Sequence, residues 1–129
     1  REKHPLKYVG FGGSGLQVRD ALHPCDLAPL LLQQMRKPDR KAPRILNLGG
    51  GLTNATSLRK LSAWCEDRFG PNNVAASTEE RLYDAPWIVM DSSRARKVWN
   101  WTPNTTLNEI LEEIAGHAER NPNWLKFTS

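Results

Sequence analysis

The sequence predicts a small mixed α/β domain, and three observations carry that reading. Short segments rich in branched and aromatic residues are interleaved with segments of helical period, in the order strand, helix, strand, helix and then further helices. The helical segments carry recognisable start and stop signals. No run approaches the ~20 consecutive apolar residues that a membrane span requires. At 129 residues the chain fits one domain, long enough to bury roughly two-thirds of its unfolded surface. Its hydrophobic fraction of 39% and charged fraction of 25% are those of an ordinary soluble protein. A formal charge of +4 suits an anionic ligand without demanding one.

Leu6 to Phe11 reads as a strand, and Gly10 to Gly15 matches the dinucleotide pattern GxGxxG. That pattern works only when a helix opens at its last glycine, so that free amides face a pyrophosphate. Here Leu16 to Asp20 alternates and looks extended, so a flexible turn in a hairpin or loop is expected instead. Extended chain continues from Gln17 to Leu22, and His23-Pro24 turns it. Asp26 is placed to cap a helix whose stripe is Leu27, Leu30, Leu31 and Met35, with Pro29 in its first turn. Lys37 to Pro43 is a proline-bounded loop. Arg44 to Leu48 reads as a short strand covered on both faces, halted by Gly49-Gly50-Gly51. Thr56 or Ser57 starts a helix that Gly70 caps and Pro71 stops. Asn73 to Thr78 is a weaker strand, and Glu79 to Trp87 an irregular connector. Asp91 or Ser92 caps a short helix through Trp99 that Trp101-Thr102-Pro103 ends. Thr106 and Glu109 form a capping box for the clearest helix, whose apolar face is Leu107, Ile110, Leu111, Ile114, Ala115 and Ala118. Asn121-Pro122 ends it, and Trp124 and Phe127 lie in a tail expected to dock back.

Arg19 and Arg81 lead the candidates for chemistry. A guanidinium donates two parallel N–H bonds to a phosphate, and two such groups hold a pyrophosphate without help from a helix terminus. Taken singly, each is as readily a surface ion pair, with Asp20 and Asp84 as ready partners. Cys25 and Cys65 share no metal-type spacing, so two reduced, buried thiols and no metal are expected. His23 is read as a structural hydrogen-bonding group, and His4 and His117 as solvated. Glu112 and Glu113 point in different directions on a helix and read as a wet face. The sequons at Asn54 and Asn104 are read as chance. The pI near 9.3 raises a nucleic-acid module as an alternative. Scattered basic residues without a stripe or an aromatic platform argue against it.

One set of residues resembles a known family: Phe11-Gly12, Gln17-Val18-Arg19-Asp20, His23, Asp26, Asn47 to Gly51, Asn54, Ser57-Leu58, Arg81 with Asp84, Asp91, Ala95, Trp101 and Pro103. In that order they are similar to the C-terminal third of extended short-chain dehydrogenase/reductase enzymes acting on nucleotide sugars. The likeness is greatest to members acting on CDP-linked deoxyhexoses. It implies a fold of its own kind: α/β, the C-terminal part of an extended Rossmann-type enzyme. This would be a small mixed α/β substrate-binding domain with the main dinucleotide-binding portion absent. Residues 1–129 would then be a nucleotide-sugar-binding portion of a longer epimerase or dehydratase, with 26–48 packed on the missing domain.

The resemblance also implies roles. Arg19 and Arg81 would contact the ligand's phosphates, Asp84 the ribose hydroxyls, and Gly10 and Phe11 the base. NAD would be the cofactor, held mainly by the absent portion, and the sugar would be oxidised and re-reduced on it. The family's base is the tyrosine of a Tyr-x-x-x-Lys pair, which neither Tyr8 nor Tyr83 matches, so no catalytic residue is expected in this chain and the fragment alone should be inactive. Dehydratase, decarboxylase or reductase chemistry on the same scaffold stays open, as does a non-catalytic binding module. The expected partner is a CDP- or UDP-linked sugar, with no nucleic acid and no membrane, in the cytoplasm. Self-association through the truncated face is expected as well.

Overall fold

A computed structural model describes residues 6–38 and 41–123. His4, the centre of the Lys37–Pro43 loop and the tail with Trp124 and Phe127 lie outside the described residues. The elements are β1 (Leu6–Tyr8), β2 (Val18–Asp20), α1 (Pro24–Arg36), β3 (Ala55–Ser57), α2 (Leu58–Phe69), β4 (Val74–Ala76), β5 (Trp87–Ile88), α3 (Ser93–Trp99) and α4 (Leu107–Arg120). The protein is thus a small mixed α/β structure, as its sequence pattern requires.

The strands form two sheets. β1 and β4 pair in parallel, Leu6 opposite Val74 and Tyr8 opposite Ala76. β2 lies at the centre of the other sheet, antiparallel to β3 and parallel to β5. β1 and β2 therefore share no sheet, and the glycine loop between them is not a hairpin turn. Its glycines serve close packing: a Cβ on Gly13 would fall 2.6 Å from the Ser77 amide nitrogen, and one on Gly15 would fall 2.9 Å from the Tyr8 ring. No helix follows. The amides at the start of α2 are already used, Leu58 N–H by the Gln17 carbonyl and Arg59 N–H by the Gly15 carbonyl.

Helix α1 begins earlier than its stripe indicates. His23 is the N-cap, its Nδ1 accepting from Cys25 N–H, and Pro24 opens the first turn where a missing N–H costs nothing. Asp26 is accordingly inside the first turn and not the cap. Its Oδ2 instead accepts from Thr105 N–H at 3.0 Å, and its carbonyl accepts from Trp101 Nε1 at 2.7 Å. Pro29 lies beyond the first turn, on an exposed part of the helix. The carbonyl its N–H would have served belongs to Cys25, which is exposed as well. That exposure corrects the expectation of two buried thiols: both cysteines are free, but only Cys65 is half-buried, and burial raises its pKa.

Arg44 to Leu48 is not a strand. It runs without regular structure, because no other strand among the described residues lies alongside to complete a ladder. Its alternation survives: Leu46 and Leu48 pack on the core while Ile45 is exposed. Leu30, Ala95 and Trp101 are the centre of that core, with Leu22 and Trp99 packed against them. Gly50 passes so close to β2's exit that a Cβ would overlap the Ala21 carbonyl. Asn54, buried, fastens the same region. Its Nδ2 donates to the Ala21 and Thr105 carbonyls and its Oδ1 accepts from Leu107 N–H. Such a side chain has no surface to offer glycosylation.

The remaining helices follow their signals. Ser57 caps α2 by accepting from Lys60 N–H, and Gly70 ends it at φ 89°. Ser92 holds the cap position of α3, while the Asp91 carboxylate accepts from Ser93 N–H; Asn100, left-handed, ends the helix. The Thr106–Glu109 capping box forms at α4. Ile110 and Ala115 are buried on its apolar face, but Ile114 is half exposed.

Candidate functional site

The site arises from the way the segment Ser77 to Pro86 is fastened between the two sheets. At one end it continues the β1–β4 pairing, with Ser77 N–H donating to the Tyr8 carbonyl and Gly10 N–H to the Glu79 carbonyl. At the other, Val18 N–H donates to the Pro86 carbonyl beside β2. Arg81 and Asp84 lie between these ties and are thereby brought against Gly10 and Arg19. A Cβ built on Gly10 would lie 3.2 Å from Asp84 Oδ2, 3.4 Å from Gln17 Nε2 and 3.6 Å from Arg81 Cγ. Gly10 adopts φ 81°, ψ 158°, a conformation essentially restricted to glycine. Four of the sequence candidates thus meet: Gly10, Arg19, Arg81 and Asp84.

Arg19 is partly committed. Its Nη2 pairs with Asp84 Oδ1 at 2.9 Å, and its Nη1 donates to the Val18 and Ala85 carbonyls at 2.7 and 2.9 Å. A guanidinium has five N–H groups, so Nε–H and one Nη2–H are left for a ligand. Asp20, the other candidate partner, points elsewhere because successive strand residues face opposite sides. It accepts from Gly51 N–H and Met90 N–H. Arg81 is exposed, and its guanidinium has no hydrogen bond or ion pair among the described residues. Phe11, the fifth candidate, sits at φ 50° with its ring partly exposed beside Gly10.

One residue of this cluster had no role assigned from sequence. Gln17 is 5% exposed. Its Nε2 donates to the Val9 carbonyl at 2.9 Å and to the Gly10 carbonyl at 3.3 Å. Strand alternation was the available signal, since it places positions 17 and 19 on one face. The Asp84 side chain is 8% exposed. Gln17 Oε1 and Asp84 Oδ2 are both buried and neither has a donor among the described residues.

Other candidates lie apart. His23 is structural, capping α1 and touching Glu113 through Nε2 at 3.1 Å. Glu112 and Glu113 are exposed and diverge as expected: Glu112 meets Arg68 of α2, which also meets Glu119. Among the described residues no cluster of His, Cys, Asp or Glu has metal-binding geometry, and no helix is long and apolar enough to cross a membrane. The Gly10–Gly15 loop does not fit a dinucleotide turn: it spends Gly13 N–H and Ser14 N–H on its own carbonyls in a 3-10 turn at Phe11–Gly13 and leads into β2, not into an α-helix.

No protein-family model matches the chain. Among curated proteins it is similar to nucleotide-sugar epimerases, a class that agrees with the sequence pattern. The chain is 29% identical over 100 residues to UDP-glucose 4-epimerase of Corynebacterium glutamicum, covering 77% of this chain and 30% of that protein. It is 24% identical over 104 residues to CDP-paratose 2-epimerase of Salmonella typhi, covering 81% of this chain and 31% of that protein. The chain therefore spans about 30% of the length of these relatives. CDP-paratose 2-epimerase is the particular enzyme that the sequence pattern favours, yet it is matched at lower identity than the UDP-glucose enzyme. The class is supported and the member is not singled out.

Proposed function

We propose that this chain is the sugar-nucleotide-binding, C-terminal part of an NAD-dependent nucleotide-sugar epimerase. The favoured reaction of the whole enzyme is 2-epimerisation of a CDP-linked deoxyhexose. The observation that carries the reading is the meeting of Gly10, Arg19, Arg81 and Asp84, drawn from segments more than 60 residues apart. Arg81, exposed and unpaired among the described residues, supplies the first phosphate contact. The remaining N–H groups of Arg19 supply the second. Asp84 takes ribose hydroxyls on the buried oxygen that Arg19 leaves unpaired. The Phe11 ring and the bare Gly10 backbone flank the base.

In this reading NAD and the Tyr-Lys pair belong to the part of the relatives' length that this chain does not span, consistent with a glycine loop that does not fit a dinucleotide. The chain alone is then inactive. Residues 26–48 pack on that other part. CDP and UDP should bind the protein in the micromolar range by calorimetry. Arg81→Ala should weaken both by roughly 10- to 100-fold, the effect of one charge-assisted hydrogen bond pair. Equal affinity of the variant and wild type overturns the assignment.

A further inference from the structure

The two arginines are carried by different sheets. Arg19 is on β2, whereas Arg81 follows β4, which pairs with β1. Among the described residues no ladder joins the β1–β4 pair to the sheet of β2, so the spacing of the two guanidinium groups depends on ties across the gap. Val18 N–H on the Pro86 carbonyl fixes the far end of the connecting segment, beyond Arg81. The Arg19 bonds to Asp84 and Ala85 cross as well, but that side chain is 42% exposed and a bound phosphate competes for it.

The Gln17 side chain is a tie that a ligand does not draw on, because it is buried. Its backbone is held on the β2 side, where its carbonyl accepts from Leu58 N–H at the start of α2. Its amide reaches the other sheet. Nε2 donates to the carbonyls of Val9 and Gly10, the residues directly after β1, at 2.9 and 3.3 Å. Gly10 N–H in turn donates to the Glu79 carbonyl at 3.0 Å, just before Arg81. One buried amide and one backbone bond thus connect the approach to Arg19 with the approach to Arg81. We infer that Gln17 is a positioning residue: it touches no ligand and holds Arg19 and Arg81 at the spacing of adjacent phosphates. This rests on the nucleotide-sugar reading above, which supplies the diphosphate. A single guanidinium binds one phosphate wherever it stands, whereas a second contact adds affinity only if its place is set beforehand. Loss of the tie therefore weakens the second phosphate contact and spares the first.

The test is calorimetry of CDP and CMP with wild type, Gln17→Met, Arg81→Ala and the double variant. Wild type should bind CDP roughly 10- to 100-fold more tightly than CMP. Gln17→Met keeps the length of the side chain and removes its donors. In this variant, shown folded by thermal melting, the CDP-to-CMP ratio should fall roughly 3- to 10-fold, with CMP affinity within about 2-fold of wild type. In the Arg81→Ala background the same change should leave the ratio where it is, since there is no second contact left to position. An unchanged ratio in Gln17→Met, equal weakening of CDP and CMP, or a further fall in the double variant overturns the role of Gln17. Should Gln17→Met not fold, Gln17→Asn, whose amide stops a methylene short of the two carbonyls, is read by the same outcomes. Wild type binding CDP no more tightly than CMP overturns the inference without any variant. If wild type binds neither CDP nor UDP, or Arg81→Ala binds CDP as wild type does, the nucleotide-sugar reading fails and takes this inference with it. That failure is told apart because it shows with Gln17 intact.

Discussion

At the scale of single residues, the candidate site depends on an absent side chain as much as on those present. Gly10 lets Asp84, Gln17 and Arg81 approach one strip of backbone, and it does so in a conformation that other residues avoid. Gly10→Ala meets both constraints, since its methyl would press on the Asp84 carboxylate at 3.2 Å and its backbone would be strained. We expect a loss of about 1–3 kcal/mol in urea denaturation, with weaker CDP binding in the fraction that remains folded. Unchanged stability together with unchanged binding would show that the cradle is loose. Arg19 illustrates the opposite case. It was legible as a ligand group and as an ion pair, and the structure gives it both an ion pair with Asp84 and spare donors. The sequence could not choose, because Asp84 lies 65 positions away and only folding decides which aspartate is near.

At the scale of elements, helices were read better than strands. A helix start is a local contract among neighbours, as at Thr106 and Glu109, and needs nothing distant to form. A strand needs a partner, which explains why Arg44 to Leu48, strand-like in composition, stays irregular while Ala55–Ser57 pairs with β2. The α4 cap also carries a pH dependence. Bonds from the Thr106 N–H and hydroxyl hold the Glu109 carboxyl below its ordinary pKa. A carboxylate depressed in the folded state stabilises above its unfolded pKa, and that contribution is lost as pH falls through the folded value. Glu109→Gln, which removes the titrating carboxylate, should therefore make the acid limb of a stability–pH profile measured by circular dichroism shallower, leaving the neutral-to-basic region parallel to wild type. A profile of unchanged shape would remove the capping box as the source of the dependence.

At the scale of the molecule, the described residues carry apolar side chains that the fold leaves uncovered. Leu31, Leu32 and Met35 on α1 and Ile45 beyond it are all exposed, Met35 at 77% and Ile45 at 78%. Apolar surface of that kind favours a covering partner. In isolation we expect concentration-dependent self-association in light scattering, and its loss in a Leu32→Glu, Met35→Lys variant with unchanged helicity. A strict monomer at high concentration would contradict this.

What the sequence determined by itself was whatever neighbours settle between themselves: the α/β class, the helices from Leu58, Ser93 and Leu107, the extended run before His23, and the mismatch of the glycine loop with a dinucleotide turn. Tertiary structure alone decided the rest. It made His23 and not Asp26 the cap, left Cys25 exposed, gave Arg44–Leu48 no strand partner among the described residues, and tied the Gln17 amide to the Val9 and Gly10 carbonyls. The reason is the same in each case. Those outcomes hinge on which distant backbone amide or carboxylate arrives within hydrogen-bonding distance, and that distance exists only once the chain has closed on itself.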